Sequence, residues 1–293
     1  MVADTRTETR TSPEGPPLPP ARSVVLPGRG RTWILESPGP PGAPTLLLLH
    51  GWTATAALNW FTALPALGQH YRVVAMDIRG HGRGLRGRPF SLRGCANDAA
   101  ALCTLLELPP VIAVGYSMGG PIAQLLWRRH PEQVAGLVLC ATSTHFSRPR
   151  AFDPAFDLAG RGLALGLGFV PGGAQRQVAR HALRGRFAAT DLGAWAVEQR
   201  ARNEFSSLVS AGVELRRYDS RSWIGEVNVP TAVVATTGDQ LVPPRRQLAM
   251  AEAIPGARVF PVAADHAACA AAPRLFVPAL VAACADVAAR AAR

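Results

Sequence analysis

VIAVGYSMGGPIAQLLWRRHP, Val111 to Pro131, is the stretch on which the reading of this chain turns. Its first four apolar residues, Val111 to Val114, read as a buried strand, and Pro121 to His130 reads as a helix stopped by Pro131. Between them stands Gly-x-Ser-x-Gly, Gly115 to Gly119, followed by Gly120. A turn that passes directly from strand to helix leaves no room for side chains at its flanks, so glycine is needed at Gly115 and Gly119, and Ser117 is held strained at the apex. Ser117 is therefore expected to project above the sheet as a nucleophile. The Met118 N–H, at the helix N-terminus, is expected to point where an oxyanion would form.

A serine hydroxyl is a poor nucleophile without a base, and the base needs a carboxylate to fix its tautomer. Among seven histidines, His266 in VAADHAAC follows the last expected strand and lies at the end of the sheet from which Ser117 can be reached. His50 and His81 also follow strands, but each is flanked by glycine and suits loop shaping better. Asp239, in TTGDQLVPP, is the expected orienting acid and gives the chain order Ser, acid, His. Asp265 is a weaker rival, because neighbouring side chains usually point apart. A second oxyanion donor is expected from LLLLHGW, where Gly51 lets the backbone turn the Trp52 N–H toward Ser117. The Trp52 ring can belong to the core at the same time, since the donor is its main chain.

Outward from this centre, short apolar runs alternate with helical stretches: Thr45 to Leu49, Arg72 to Met76, Val111 to Val114, Ala135 to Cys140, Thr231 to Ala235 and Arg258 to Val262. Near-continuous apolarity predicts strands buried on both faces, hence an α/β fold with a mostly parallel sheet flanked by helices. Ser91 to Leu108 has apolar residues at spacings of three and four and reads as one such helix. Residues 1–22 are polar and proline-rich and read as a disordered tail. Residues 23–142 and 224–293 form the expected core. Residues 143–223, where the alternation breaks, are expected to be a helical cap inserted over the carboxyl ends of the strands.

With HGW after one strand, DIRGHG at 77–82 after the next, GYSMGG, the D-x-x-V-P segment at 239–243 and the terminal histidine, the chain from about Thr32 onward resembles the α/β-hydrolase-fold superfamily, in its serine-nucleophile, esterase or lipase-like branch. The resemblance implies a Ser117-Asp239-His266 triad, an oxyanion hole from Trp52 and Met118, no cofactor, and a cap after Cys140. Two departures from the family pattern are Gly238, immediately before the acid, and Asp265 where a glycine usually precedes the histidine. Similar folds that open epoxides or displace halide carry aspartate in the elbow, so Ser117 implies acyl transfer to water and hydrolysis of carboxylic esters. The same triad also serves C–C bond hydrolases, enol-lactonases, cofactor-free haloperoxidases or perhydrolases, and acyltransferases. Other proteins of this fold are non-catalytic ligand binders.

Composition narrows the remaining classes. All 31 basic residues of the 293-residue chain are arginine. Without lysine there is neither an internal Schiff base nor a GxxxxGK[ST] phosphate loop. The net charge of +11 invites a polyanionic partner, but the arginines are scattered and aromatics are only 6%, so no nucleic-acid partner is expected. Five cysteines without CxxC spacing argue for a reducing compartment and no metal site. No secretory h-region and no run long enough to span a membrane is present, so the expected location is cytoplasmic. Apolar residues from Phe152 to Val170 suggest a pocket for a small-molecule, apolar ester or acyl substrate or, equally, packing of the cap on the core; Arg176, Arg180 and Arg184 read as a solvated helix face, with steering of an anionic substrate as the alternative.

Overall fold

The computed structural model describes residues 15–146 and 191–292. Eight strands form one sheet in the order β1-β2-β4-β3-β5-β6-β7-β8. An antiparallel pair, β1 (Ala21–Leu26) and β2 (Gly30–Ser37), flanks the antiparallel β2-β4 contact. From β4 (Arg72–Met76) through β3 (Thr45–Leu49), β5 (Val111–Tyr116), β6 (Val134–Cys140), β7 (Thr231–Thr236) and β8 (Arg258–Val262) every pairing is parallel. All six runs expected as strands form them.

Because side chains alternate across a strand, β3 sends Leu47 and Leu49 to one face and Leu46 and Leu48 to the other, all four fully buried. On the first face lie α3 (Leu92–Leu105), α4 (Gly119–Arg129) and α7 (Pro244–Ala253), which bring Leu102, Leu126 and Met250 into the core. On the second lie α1 (Ala56–Trp60), α2 (Leu64–Leu67) and, after α8 (Ala268–Ala271), α9 (Pro273–Ala291), which add Trp60, Leu64, Phe276 and Leu280. Each such side chain stabilises the fold by about 1.5 to 3 kcal/mol. Ser91 caps α3 by accepting the Gly94 N–H at 3.0 Å, so the helix starts where the apolar spacing places it. Between β6 and β7 the described chain adds α5 (Asp191–Ala201) and α6 (Phe205–Arg217).

Two expectations need correction. β8 is not buried on both faces: it is the edge strand, and Arg258, Val259 and Pro261 are exposed. The hairpin β1-β2 lies ahead of the first strand read from sequence, and it begins at Ala21, inside the stretch 1–22 assigned to the tail. The apolar residues Phe152 to Val170 and the arginines Arg176, Arg180 and Arg184 lie outside the described residues. Among the described residues no helix is long and apolar enough to cross a membrane, and no group of three His, Cys, Asp or Glu side chains is placed to hold a metal ion. All five cysteines, Cys95, Cys103, Cys140, Cys269 and Cys284, are buried and free.

Candidate active site

Ser117 stands between the last residue of β5 and the start of α4 with φ of 50°, a left-handed conformation that a non-glycine residue adopts only under constraint. The constraint is visible. The Ser117 N–H donates to Cys140 O at 2.9 Å, and Ser117 O accepts from Gly120 N at 2.9 Å and from Thr142 Oγ1 at 2.8 Å. A Cβ on Gly115 would stand 2.3 Å from Gly119 O, and one on Gly119 would stand 2.0 Å from Leu49 O. Glycine at these two positions lets strand, turn and helix close on one another. Gly120 is equally hemmed in, by the Thr142 side chain at 2.2 Å.

The three side chains singled out from sequence meet here, although Ser117 and His266 are 149 residues apart. The Ser117 Oγ lies 2.9 Å from His266 Nε2, and His266 Nδ1 lies 2.7 Å from Asp239 Oδ2. Asp239 follows β7 and is buried; its Oδ1 accepts the Leu241 and Val242 N–H groups at 2.9 and 2.8 Å, and its Oδ2 accepts the Thr236 hydroxyl at 2.8 Å. Burial alone would push the Asp239 carboxyl up. The hydrogen bonds from His266, the Val242 N–H and Thr236 outweigh it and hold the carboxyl below its ordinary value. An ionised Asp239 fixes the proton of His266 on Nδ1 and leaves Nε2 free to accept from the serine hydroxyl.

The rivals are engaged elsewhere. Asp265 is exposed and accepts the Ala267 N–H at 2.8 Å, capping the turn that leads into α8. His50 is fully buried: its Nδ1 lies 2.8 Å from Gly51 O, and its Nε2 accepts the Ile78 N–H at 3.0 Å, so both ring nitrogens are spent on the backbone. His81, also fully buried, lies 5.3 Å from His50 between ring centroids and places Nδ1 3.1 Å from Arg79 O.

The loop after β3 reaches the same place. A Cβ on Gly51 would stand 3.4 Å from Ser117 Cβ. Among the described residues neither the Trp52 N–H nor the Met118 N–H has a hydrogen-bond partner. The Trp52 ring is not in the core but 44% exposed, with its indole N–H donating to Leu208 O of α6 at 3.0 Å.

Several supporting residues escape a sequence reading. The Tyr116 hydroxyl donates to His266 O at 2.8 Å, tying the elbow to the histidine loop. Gln247 of α7 donates to Thr236 Oγ1 at 2.9 Å and Val242 O at 2.7 Å, bracing the acid from behind. Gly238, the departure beside the acid, donates its N–H to Ala264 O at 3.0 Å; a Cβ there would press to 3.2 Å of that oxygen, so glycine lets the acid loop lie on the histidine loop. Only the dipeptide Gly238-Asp239 carried a signal of this in the sequence.

A strand-serine-helix elbow at the carboxyl ends of a mostly parallel, helix-flanked sheet, with acid and histidine supplied after later strands, defines a class. The chain belongs to the α/β hydrolase fold family, whose profile matches residues 44–273. It is similar to the pimeloyl-(acyl-carrier protein) methyl ester esterase of Aromatoleum aromaticum, 32% identical over 241 residues that cover 74% of this chain and 88% of that protein. The putative carbamate hydrolase RutD of Agrobacterium fabrum is 29% identical over 223 residues, covering 73% and 82%. Similarity to the magnesium-chelatase 30 kDa subunit of Rhodobacter capsulatus, 35% identical over 135 residues, spans 45% of each chain, less than half of that relative. Among solved structures, the enol-lactonase from Burkholderia xenovorans LB400 superposes with a TM-score of 0.72 at 22% identity, over 90% of this chain and 99% of that one. The bromoperoxidase from Bacillus anthracis gives 0.74 at 19% identity, over 91% and 100%. These two share the fold.

Proposed function

We propose that the protein is a serine hydrolase that cleaves carboxylic esters through an acyl-enzyme, with Ser117 as nucleophile, His266 as general base and acid, and Asp239 as the carboxylate that orients it. The observation that carries this reading is the unbroken line Ser117 Oγ, His266 Nε2, His266 Nδ1, Asp239 Oδ2, at 2.9 and 2.7 Å. Ser117 Oγ adds to the ester carbonyl carbon as its proton passes to His266 Nε2. The carbonyl oxygen becomes an oxyanion held by the Trp52 and Met118 N–H groups, and loss of one such donor costs about 2.7 to 4 kcal/mol of transition-state stabilisation. The tetrahedral intermediate collapses with release of the alkoxide, which takes the proton from His266. Water then attacks the acyl-enzyme with His266 again as base, giving the acid and freeing Ser117. No cofactor enters these steps.

Residues 143–223 would serve as the cap and wall of the substrate site, for a small, apolar ester or acyl substrate. The esterase named among the relatives supports the ester class, and serine in the elbow supports hydrolysis by acyl transfer. The cytoplasmic location expected from sequence is in keeping with five buried, free thiols. Purified protein should hydrolyse p-nitrophenyl esters of short to medium chain, and Ser117→Ala should abolish turnover while leaving the thermal unfolding midpoint near that of the wild type. A wild type inert across the whole chain-length series would refute the proposal.

A further inference from the structure

The loop after β3 is gripped by the segment that carries α5 and α6. Thr53 has φ of 63°, a conformation that a β-branched residue holds only when its surroundings over-determine it. The surroundings are supplied from outside the core. Asn203, between the two helices and 7% exposed, donates from Nδ2 to Thr53 O at 2.8 Å and accepts the Gly82 N–H at Oδ1, also at 2.8 Å. One amide thus ties the loop after β3 to the loop after β4. Next to it the Trp52 indole N–H donates to Leu208 O. Gly212, one turn further along α6, makes room for the ring, since a Cβ there would stand 3.2 Å from Trp52 Cζ2. The docking is close elsewhere as well: the Glu204 N–H donates to Gly80 O at 2.8 Å, and a Cβ on Gly80 would collide with Ser207 Cβ at 2.1 Å.

Resting on the esterase reading above, we infer that Asn203 is a positioning residue, which through Thr53 O and Gly82 N aims the Trp52 N–H at the oxyanion, with the Trp52 indole as a second anchor on α6. Neither side chain touches substrate in this scheme. Their effect is on the direction of a backbone dipole, and a donor that is misaimed stabilises the transition state less while ground-state binding is kept. Asn203 is suited to the task because its one planar amide carries both a donor, Nδ2–H, for the Thr53 carbonyl and an acceptor, Oδ1, for the Gly82 N–H. An important consequence is that oxyanion stabilisation depends on how α5 and α6 sit on the core.

The test uses the full-length protein with the best p-nitrophenyl ester and a trifluoromethyl ketone of matching acyl chain. Addition of Ser117 Oγ to that ketone, with its proton passing to His266, leaves an alkoxide in the oxyanion site. Asn203→Ala should lower kcat about tenfold to a hundredfold with KM within about threefold, and should weaken the ketone by the same factor as kcat/KM. Trp52→Phe, which keeps a ring against Gly212 but removes the bond to Leu208, should act in the same direction more weakly and serves if Asn203→Ala does not fold. Wild-type kcat in the folded variants, or a loss confined to KM with ketone affinity unchanged, would overturn the inference and leave the esterase reading standing. A wild type with neither turnover nor fluorophosphonate labelling at Ser117 would sink that reading, and this inference with it.

Discussion

Ser117 combines a strained backbone with an aimed side chain: at φ of 50° its hydroxyl lies 2.9 Å from His266 Nε2, the geometry on which the proposed nucleophile rests. The proposed orienting acid is distinguished by geometry as much as by type. Asp239 has four short contacts that favour its charged form, whereas Asp265 spends its carboxylate on the Ala267 N–H. Asp239→Asn should therefore lower kcat by about three to four orders of magnitude, because the amide no longer holds the Nδ1–H tautomer. Asp265→Asn should stay close to wild type in the same steady-state assay, and the reverse ranking would move the orienting role to Asp265. At this scale the sequence was informative where chemistry restricts residue type, as at Ser117, Asp239 and His266. It was silent where an ordinary residue does a local task. Tyr116 and Asn203 are tied to the site by side-chain hydrogen bonds across distant segments, while Thr236 and Gln247 bond around Asp239 from nearby in the sequence, and no spacing rule announces such partners.

At the scale of elements, the elbow depends on backbone contact between β3, β5 and α4. Gly119→Ala puts a methyl group 2.0 Å from Leu49 O, where no side chain can swing aside, so β3 and α4 must part. The expected cost is on the order of 3 kcal/mol or more, read from chemical denaturation, with hydrolysis reduced in the protein that remains folded. A stability within 0.5 kcal/mol of wild type, by the tolerance typical of surface changes, would show that the elbow has slack. The central strands were legible because burial on both faces forces apolar runs, as in TLLLL of β3. The β1-β2 hairpin was missed for the converse reason: Val24 and Leu26 point inward while Ser23 and Val25 do not, and Gly28 and Gly30 interrupt the pattern. β8 misled in its degree of burial, since an edge strand can carry Val and Phe yet cover only one side. α4 begins at Gly119, two residues before the helix read from Pro121, because the elbow glycines themselves are helical.

For the whole molecule, the buried histidines link folding to pH. Burial pushes His50 down to about 4, and burial with the neighbouring His50 pushes His81 down to about 3. Both are therefore neutral in the native state, whereas the unfolded chain titrates them near 6.5. Their contribution is fully present well above pH 6.5 and is lost as pH falls through 6.5 toward about 4 for His50 and about 3 for His81, because protons bind the unfolded chain first. Between pH 6.5 and 5 each histidine should remove about 1.6 kcal/mol of stability, a sizeable share of the roughly 5 to 15 kcal/mol typical of a domain. Denaturant midpoints measured across that range should fall steeply. A flat profile down to pH 5 would mean that the pair takes up protons in the folded state. The +11 charge offers no comparable handle on function. Many arginines are structural, such as Arg79, which lies 2.7 Å from both oxygens of buried Asp98.

The central claim, that Ser117 is a nucleophile activated by His266 and Asp239, is tested most directly by mass spectrometry of the protein after fluorophosphonate treatment. The predicted result is one covalent adduct, on the peptide containing Ser117, formed as esterase activity disappears, absent from Ser117→Ala and strongly slowed in His266→Ala. Esterase activity that survives the reagent, or an adduct on another residue that accounts for its loss, would contradict the assignment.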